Sequence, residues 1–336
     1  MQSPINISMK KKLSDQLSEK IIINSLLKKL NFNKKGTFNF ENDAAYFSAA
    51  KNYKTIITTD SITENIDFFL NDPPESIAQK IVCVNLSDLS AMGSEPVAYT
   101  LNLSLNAKIN INWLKRFTKR LFKLQKQYNF YLLGGDISKT TELNFTATFF
   151  GQAKLKGILS QNKCRIGDDI WITGNLGSSY LGYRILTNSK IKLSNKDKEF
   201  YINSYLYPLP CMFGSVASNF INAATDISDG FYGDLNKILN NKVGAFLFKK
   251  DFLISKNLRN IISTNKSKIS IKDILSWGDD YQLVFTANKK FNNQINKLGK
   301  KNNIKLTHIG TVIKDKGIFD DSMNLIKNPS RFDHFS

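Results

Sequence analysis

Apolar residues recur at helical spacing in several stretches of this chain of 336 residues. Ile21, Ile22, Leu26, Leu27 and Leu30 predict a helix over 18–30. Leu114, Phe117, Leu121 and Leu124 share one face of a second helix over 111–128, with lysines elsewhere. A third helix is expected over 76–92, where Gly93 suits the position just past its end and Pro96 follows as a stop. Short apolar or alternating runs between these predict strands at 44–47 (AAYF), 55–59 (TIITT), 97–105, 131–133 (YLL) and 144–155. A polar stretch over 156–168 lacks clear periodicity and marks a boundary. Beyond it, strands are expected at 169–173, 243–249, 281–286 and 307–313. Helices are expected near 178–188, 195–205, 211–222 and 231–240.

This order predicts an α+β chain of two layered α/β-type domains. Residues 1–17 read as a polar extension, 18–156 as an N-terminal domain and 157–336 as a C-terminal domain. No repeat of solenoid length is present.

Composition changes this picture little. The chain is 42% hydrophobic and 22% charged, a globular balance. No apolar run approaches the roughly 18–20 residues that span a bilayer, and no apolar segment follows the N-terminal lysines as in a secretory signal. Cys83, Cys164 and Cys211 are far apart and form no CxxC pair, which argues against zinc and disulfides and for a cytoplasmic protein. The formal charge of +19 invites a nucleic-acid reading. However, only 6 of the 47 basic residues are arginine, the lysines are dispersed, and no RNA- or DNA-binding motif appears. No dedicated nucleic-acid partner is expected, and no membrane association.

The candidate chemistry lies in acidic turns: Asp43 in NDAAYF, Asp60 in TTDS, Asp88 in NLSDLSAMGSEP, Asp136 in LLGGDIS, and Asp226 and Asp229 in DISDG. Asp60, Asp136 and Asp226 each follow an apolar run, which predicts carboxylates at strand C-terminal ends, where ligands gather. Gly134 and Gly135 would admit close backbone approach to a ligand. If these turns converge, their carboxylates repel by roughly 4 kcal/mol per close pair at an effective dielectric near 20. Such a cluster calls for a cation. With oxygen donors and no Cys/His set, Mg²⁺ is favoured, and it commonly shares substrate phosphates. The plain alternative is a set of unrelated surface turns. For the 225–239 stretch, that alternative has Ser228 or Asp229 capping a helix and Asp234 on its solvated face. Walker, protein-kinase and dinucleotide motifs are absent, as is a G-x-S-x-G elbow. His308 in an apolar strand reads as structural.

The blocks DAAYF, TTDS, NLSDLSAMGSEP, LLGGDIS, DISDGFYGDL, WGDDYQLVFT and the ending SRFDHF, in this order, resemble the thiamine-monophosphate kinases. These belong to the superfamily of aminoimidazole ribonucleotide synthetase and selenophosphate synthetase. The resemblance runs from about residue 18 to the end. It implies aminoimidazole ribonucleotide synthetase-like N- and C-terminal domains and a homodimer whose N-terminal domains pack together. It further implies ATP-dependent phosphorylation of thiamine monophosphate to thiamine diphosphate, with several Mg²⁺ ions. Carried over by position, the metal ligands are Asp43, Thr58, Thr59, Asp60, Asp88, Asp136, Asp226 and Asp229. Gly135, Asp136, Gln161 and Ser228 would contact ATP, and Asp67, Asp279 and Phe332 the substrate. The chain departs from the family pattern at Asn42 (usually Asp), Asp67 (usually His), Gln161 (usually Arg) and Asp279 (usually Glu). Lys163 or Arg165 would restore the charge missing at Gln161. Two rival readings are another ATP-dependent enzyme of the superfamily and a non-catalytic nucleotide- or RNA-binding protein. The first Cys, inside a predicted helix, disfavours selenophosphate synthetase.

Overall fold

Ten α-helical segments and ten strands follow one another in the computed structural model, which describes residues 18–187, 191, 193–248, 253–264 and 269–326. The expected extension at 1–17 and Phe332 lie outside the described residues. The described chain falls into two compact units, each built from separate stretches. One gathers residues 18–48, Asp60–Ile81 and Ala98–Thr148; the other gathers Ala49–Thr59, Val82–Val97 and the chain from Phe149 onward.

The first unit begins with a helical run, α1 (Glu19–Ile22), continued by a π-turn (Ile23–Leu27) and a 3-10 turn (Lys28–Asn31). Ser18 caps it by accepting the Ile21 N–H at 3.3 Å. The widened π-turn shifts the helical register, so Ile22, Leu26, Leu27 and Leu30 are buried while Ile21 is exposed. No strand forms at 44–47. Tyr46 is exposed there, and its N–H bonds the Gly36 carbonyl rather than a neighbouring strand.

Strands β1 (Tyr53–Thr63), β2 (Glu95–Leu105), β3 (Tyr131–Lys139) and β4 (Asn144–Lys154) form a sheet ordered β1-β4-β2-β3. Helices α2 (Pro74–Ala91) and α3 (Ile111–Tyr128) are interleaved with them in sequence. α3 matches its expected span: the Asn110 side chain accepts the Trp113 N–H at 3.0 Å, and Asn129 ends it in the left-handed region. Its apolar stripe buries Leu114, Phe117, Leu121 and Leu124, and Phe117 stacks on Phe145 of β4 at 5.1 Å. The buried Gln125 amide donates to the Leu30 carbonyl at 2.6 Å and ties the N-terminal helical run to α3.

In the second unit, β5 (Asp169–Thr173), β6 (Ala223–Asp226), β7 (Gly244–Leu247), β8 (Leu283–Ala287), β9 (Leu306–Ile313) and β10 (Gly317–Phe319) form a mixed sheet ordered β10-β7-β9-β5-β8-β6. The helices α4 (Ser178–Thr187), α5 (Asn195–Leu206), α6 (Phe213–Ala217), α7 (Phe231–Leu239), α8 (Lys256–Thr264), α9 (Ile271–Ser276) and α10 (Asn292–Lys301) belong to the same unit. All five residues of β5 are buried, so it is covered on both faces. Ile170 and Ile172 pack with Phe231, Leu235 and Ile238 of α7. Trp171 packs on the other side with Phe213 of α6, Ile295 of α10 and Phe285 of β8. This gives the expected layered α/β arrangement. α6 is shorter than the expected 211–222 because the chain turns at 218–220. His308 has the structural role read from sequence: its ring stacks on Trp171 at 5.0 Å, and Nε2 lies 2.9 Å from the Gly310 carbonyl.

Candidate active site

Helix α2 is buried almost all round, and its last turns carry Ser87, Asp88 and Ser90. Polar groups in such a helix need partners. Ser90 Oγ donates to the Cys211 carbonyl at 2.6 Å and accepts the Gly214 N–H at 3.2 Å. Ser87 Oγ donates to Asp226 Oδ2 at 2.8 Å. The Thr58 hydroxyl of β1 donates to Asp88 Oδ2 at 2.6 Å. Thus Thr58, Asp88 and Asp226, far apart in sequence, meet within the second unit.

Asp226 ends β6 and is 6% exposed. Burial, reinforced by the Asp88 carboxylate, pushes its pKa up to about 8 despite the Ser87 hydrogen bond. The two carboxylates present hard oxygen donors side by side. Such donors, with a threonine hydroxyl beside them, fit a hard divalent cation, which takes one or two carboxylates and completes its shell with water and phosphate oxygens. Among the described residues no three carboxylate, imidazole or thiol side chains form a cage of their own.

The register of β6 against β8 pairs Asp226 with Leu283, so the loops 227–230 and 277–282 lie side by side. The Ile227 N–H donates to the Gln282 carbonyl at 2.7 Å, the Tyr281 N–H to the Ile227 carbonyl at 3.0 Å, and the Asp279 N–H to the Ser228 carbonyl at 3.1 Å. The two sequence blocks DISDG and WGDDY therefore form one double loop. Asp279 has φ +62°, and its Oδ1 accepts the Tyr281 hydroxyl at 2.7 Å. Both carboxylate oxygens of Asp280 accept the Gly177 N–H, at 2.9 and 3.0 Å. Gln161 stands at the same sheet end, its Nε2 donating to Thr225 Oγ1 at 3.1 Å.

The helix after DISDG is capped differently from either plain expectation. Gly230, at φ +116°, is the N-cap of α7, with no side-chain cap bond. Asp234 is fully buried rather than solvated, and its Oδ2 accepts the N–H groups of Ser228 at 3.0 Å and Asp229 at 3.1 Å. Asp229 Oδ2 pairs with Lys237 Nζ at 2.8 Å.

The other predicted residues take varied positions. Asp60 and Asp136 lie inside β1 and β3, not at strand ends; only Asp226 ends its strand. β1 and β3 are the outer strands of their sheet, and both carry exposed polar residues without ending there. Thr58 and Asp60 are half-buried on one face of β1, whereas Thr59 is exposed on the other. Asp136 is exposed and faces Asn102 across the ladder. A Cβ on Gly135 would stand 1.9 Å from the Leu101 carbonyl oxygen, so that glycine serves strand pairing, while a Cβ on Gly134 would meet nothing within 4 Å. Asp43 is exposed in the irregular segment 41–50. Asp67 Oδ2 accepts the Thr63 N–H at 2.8 Å, closing the turn after β1, and the Asp67 carbonyl accepts Lys80 Nζ at 2.7 Å.

Comparison with known proteins identifies the family. Residues 41–153 match the family model described as AIR synthase related protein, N-terminal domain. The chain is 36% identical over 302 residues to the thiamine-monophosphate kinase of Buchnera aphidicola subsp. Schizaphis graminum, covering 87% of this chain and 91% of that protein. It belongs to the thiamine-monophosphate kinase family. The fold agrees. The thiamine-monophosphate kinase of Stenotrophomonas maltophilia K279a superposes with a TM-score of 0.76 at 30% identity, over 84% of this chain and 89% of that one. AaThiL complexed with AMPPCP and TMP gives 0.75 at 26% identity, over 87% and 91%.

For this family member, sequence reasoning missed Ser87, Asp234 and Lys237. Asp234 had a readable signal: it shares the helical face of Phe231, Leu235 and Ile238. Ser87 had none beyond adjacency to Asp88.

Proposed function

We infer that the chain transfers the terminal phosphate of ATP to thiamine monophosphate, giving thiamine diphosphate, with Mg²⁺ as its metal. The 36% identity to a thiamine-monophosphate kinase over 87% of the chain carries this reading. The meeting of Thr58, Asp88 and Asp226 supports it chemically. We assign Asp43, Thr58, Thr59, Asp60, Asp88, Asp136, Asp226 and Asp229 to metal, and Gly135, Asp136, Gln161 and Ser228 to ATP. Asp67, Asp279 and Phe332 are assigned to the substrate, within an N-terminal domain at 18–156 and a C-terminal domain at 157–336.

The acceptor is itself a phosphate, with a second pKa near 6 by analogy with phosphomonoesters, so it is largely ionised at neutral pH and needs no strong base. His308 is held against Trp171 and Gly310 and serves the core. When bound, Mg²⁺ neutralises the two phosphate groups that must approach one another. The protein's part is placement. Ser87 fixes the rotamer of Asp226, Thr58 fixes Asp88, and Tyr281 fixes Asp279 on the double loop. Gln161, neutral where the family pattern has arginine, spends its amide on Thr225, beside Asp226.

Chelating divalent cations is expected to abolish thiamine diphosphate formation, and added Mg²⁺ to restore it. Turnover that persists in excess chelator would overturn the metal assignment. No helix among the described residues is long and apolar enough to cross a membrane, and we place the enzyme in the cytoplasm.

We also propose a homodimer formed through the N-terminal domain. β1 is an outer strand that exposes Ile57, an apolar side chain suited to burial against a second copy. Light scattering should give twice the chain mass for the parent and the single mass for Ile57→Glu. A monomeric parent at micromolar concentration would count against it.

A further inference from the structure

Lys237 lies in the last turn of α7, and its side chain reaches Asp234 in the first turn and Asp229 in the loop that precedes the helix. Its Nζ lies 2.7 Å from Asp234 Oδ1 and 2.8 Å from Asp229 Oδ2, so one ammonium bridges two carboxylates. The two ends of this bridge differ. Asp234 has no exposed side-chain surface, and its other oxygen is fixed by the N–H groups of Ser228 and Asp229. That end cannot leave without stranding a buried charge. Asp229 is 37% exposed and Lys237 30% exposed, so solvent and solutes reach the other end. Burial opposes the charge on Lys237, but the two carboxylates outweigh it and hold the ammonium firmly protonated.

We propose that Lys237 is a resident counter-ion of the DISDG loop: it neutralises Asp229 and Asp234 in the metal-free chain and yields Asp229, but not Asp234, to an arriving divalent cation. This rests on the assignment of Asp229 as a metal ligand. A divalent ion and an ammonium compete for the same carboxylate oxygen. The lysine stem is flexible and its donors rotate freely, so it can retreat while keeping Asp234. Lys237 is thus a positioning residue with two linked effects. It stabilises the loop before metal arrives, and it raises the Mg²⁺ concentration needed to fill the site.

The test is the thermal unfolding of metal-free protein titrated with MgCl₂ alone, a readout independent of turnover. Lys237→Gln is expected to melt below the parent without metal and to reach half its Mg²⁺-induced shift at a three- to tenfold lower concentration. Lys237→Arg should restore the parent threshold. Asp229→Asn should raise the half-saturating Mg²⁺ at least tenfold. If Asp229→Asn weakens Mg²⁺ binding but Lys237→Gln leaves the threshold unchanged or raises it, Lys237 is only a structural contact and the proposal fails. If Asp229→Asn changes nothing, Asp229 is not a metal ligand, and that assignment and the proposal fall together. Should Lys237→Gln not fold, the double variant Lys237→Gln/Asp234→Asn removes the charge with its buried partner and carries the same expectations.

Discussion

Asp226→Asn is expected to lower turnover by about 100- to 1000-fold, the range typical of losing one preorganised electrostatic group, while raising the melting temperature of the metal-free protein. The amide keeps the shape and still accepts the Ser87 hydroxyl, but no longer offers a charge to metal. The stability gain follows from ionisation. In the folded, metal-free chain burial and Asp88 hold the Asp226 pKa near 8, whereas an unfolded aspartate ionises at about 3.9. Below about pH 4 both states hold the proton and the group contributes no difference. As pH rises from about 4 to 8 the unfolded state loses its proton first, so parent stability falls, by at most about 1.4 kcal/mol per pH unit. Above pH 8 the loss is complete. The substituted amide does not titrate. The variant's advantage should therefore be absent near pH 4, grow with pH and level off above 8. Calorimetry at pH 5 and pH 8, paired with turnover, checks both halves. Unchanged turnover, or a lower melting temperature at pH 8, would refute the role given to Asp226.

Gly278→Ala tests the double loop. A Cβ at residue 278 would stand 1.5 Å from the Ser228 carbonyl oxygen and 2.5 Å from its carbon. No rotamer relieves a backbone clash, so the loops 227–230 and 277–282 must separate. That motion breaks the bond from the Asp279 N–H to the Ser228 carbonyl and displaces the assigned ATP and thiamine contacts together. A misplacement near 1 Å can cost about 100-fold in rate, and overpacking of this kind costs about 1–3 kcal/mol in stability. The expected result is kcat/KM for thiamine monophosphate down about 100-fold, with a modest loss in denaturant melts. Parent kinetics in a folded variant would show that the juxtaposition of these loops has no catalytic consequence.

Where periodicity and capping agreed, the elements were legible. α3 has an apolar stripe and an Asn110 cap, and its span was read correctly. The runs TTDS and GGDIS were harder. A polar residue after an apolar run reads as a strand end, but β1 and β3 are outer strands with solvent on one side, and they carry polar residues without stopping. At 44–47 an apolar run found no neighbouring strand and stayed irregular. In the site, Asp226 was legible because it closes the short apolar run of β6. Asp234 looked like a surface residue because acidic side chains rarely lie fully buried. Its helical spacing with Phe231, Leu235 and Ile238 pointed inward, but the two loop N–H groups that satisfy its carboxylate are not encoded in the local pattern. Lys237 was invisible for the same reason.

The most direct test is to follow label from γ-labelled ATP with thiamine monophosphate and, in parallel, free thiamine as acceptor. Label is predicted to appear in the terminal phosphate of thiamine diphosphate, one per ADP formed, with no product from thiamine. No labelled thiamine diphosphate from a folded, Mg²⁺-supplied protein, or equal phosphorylation of free thiamine, would contradict the assigned reaction.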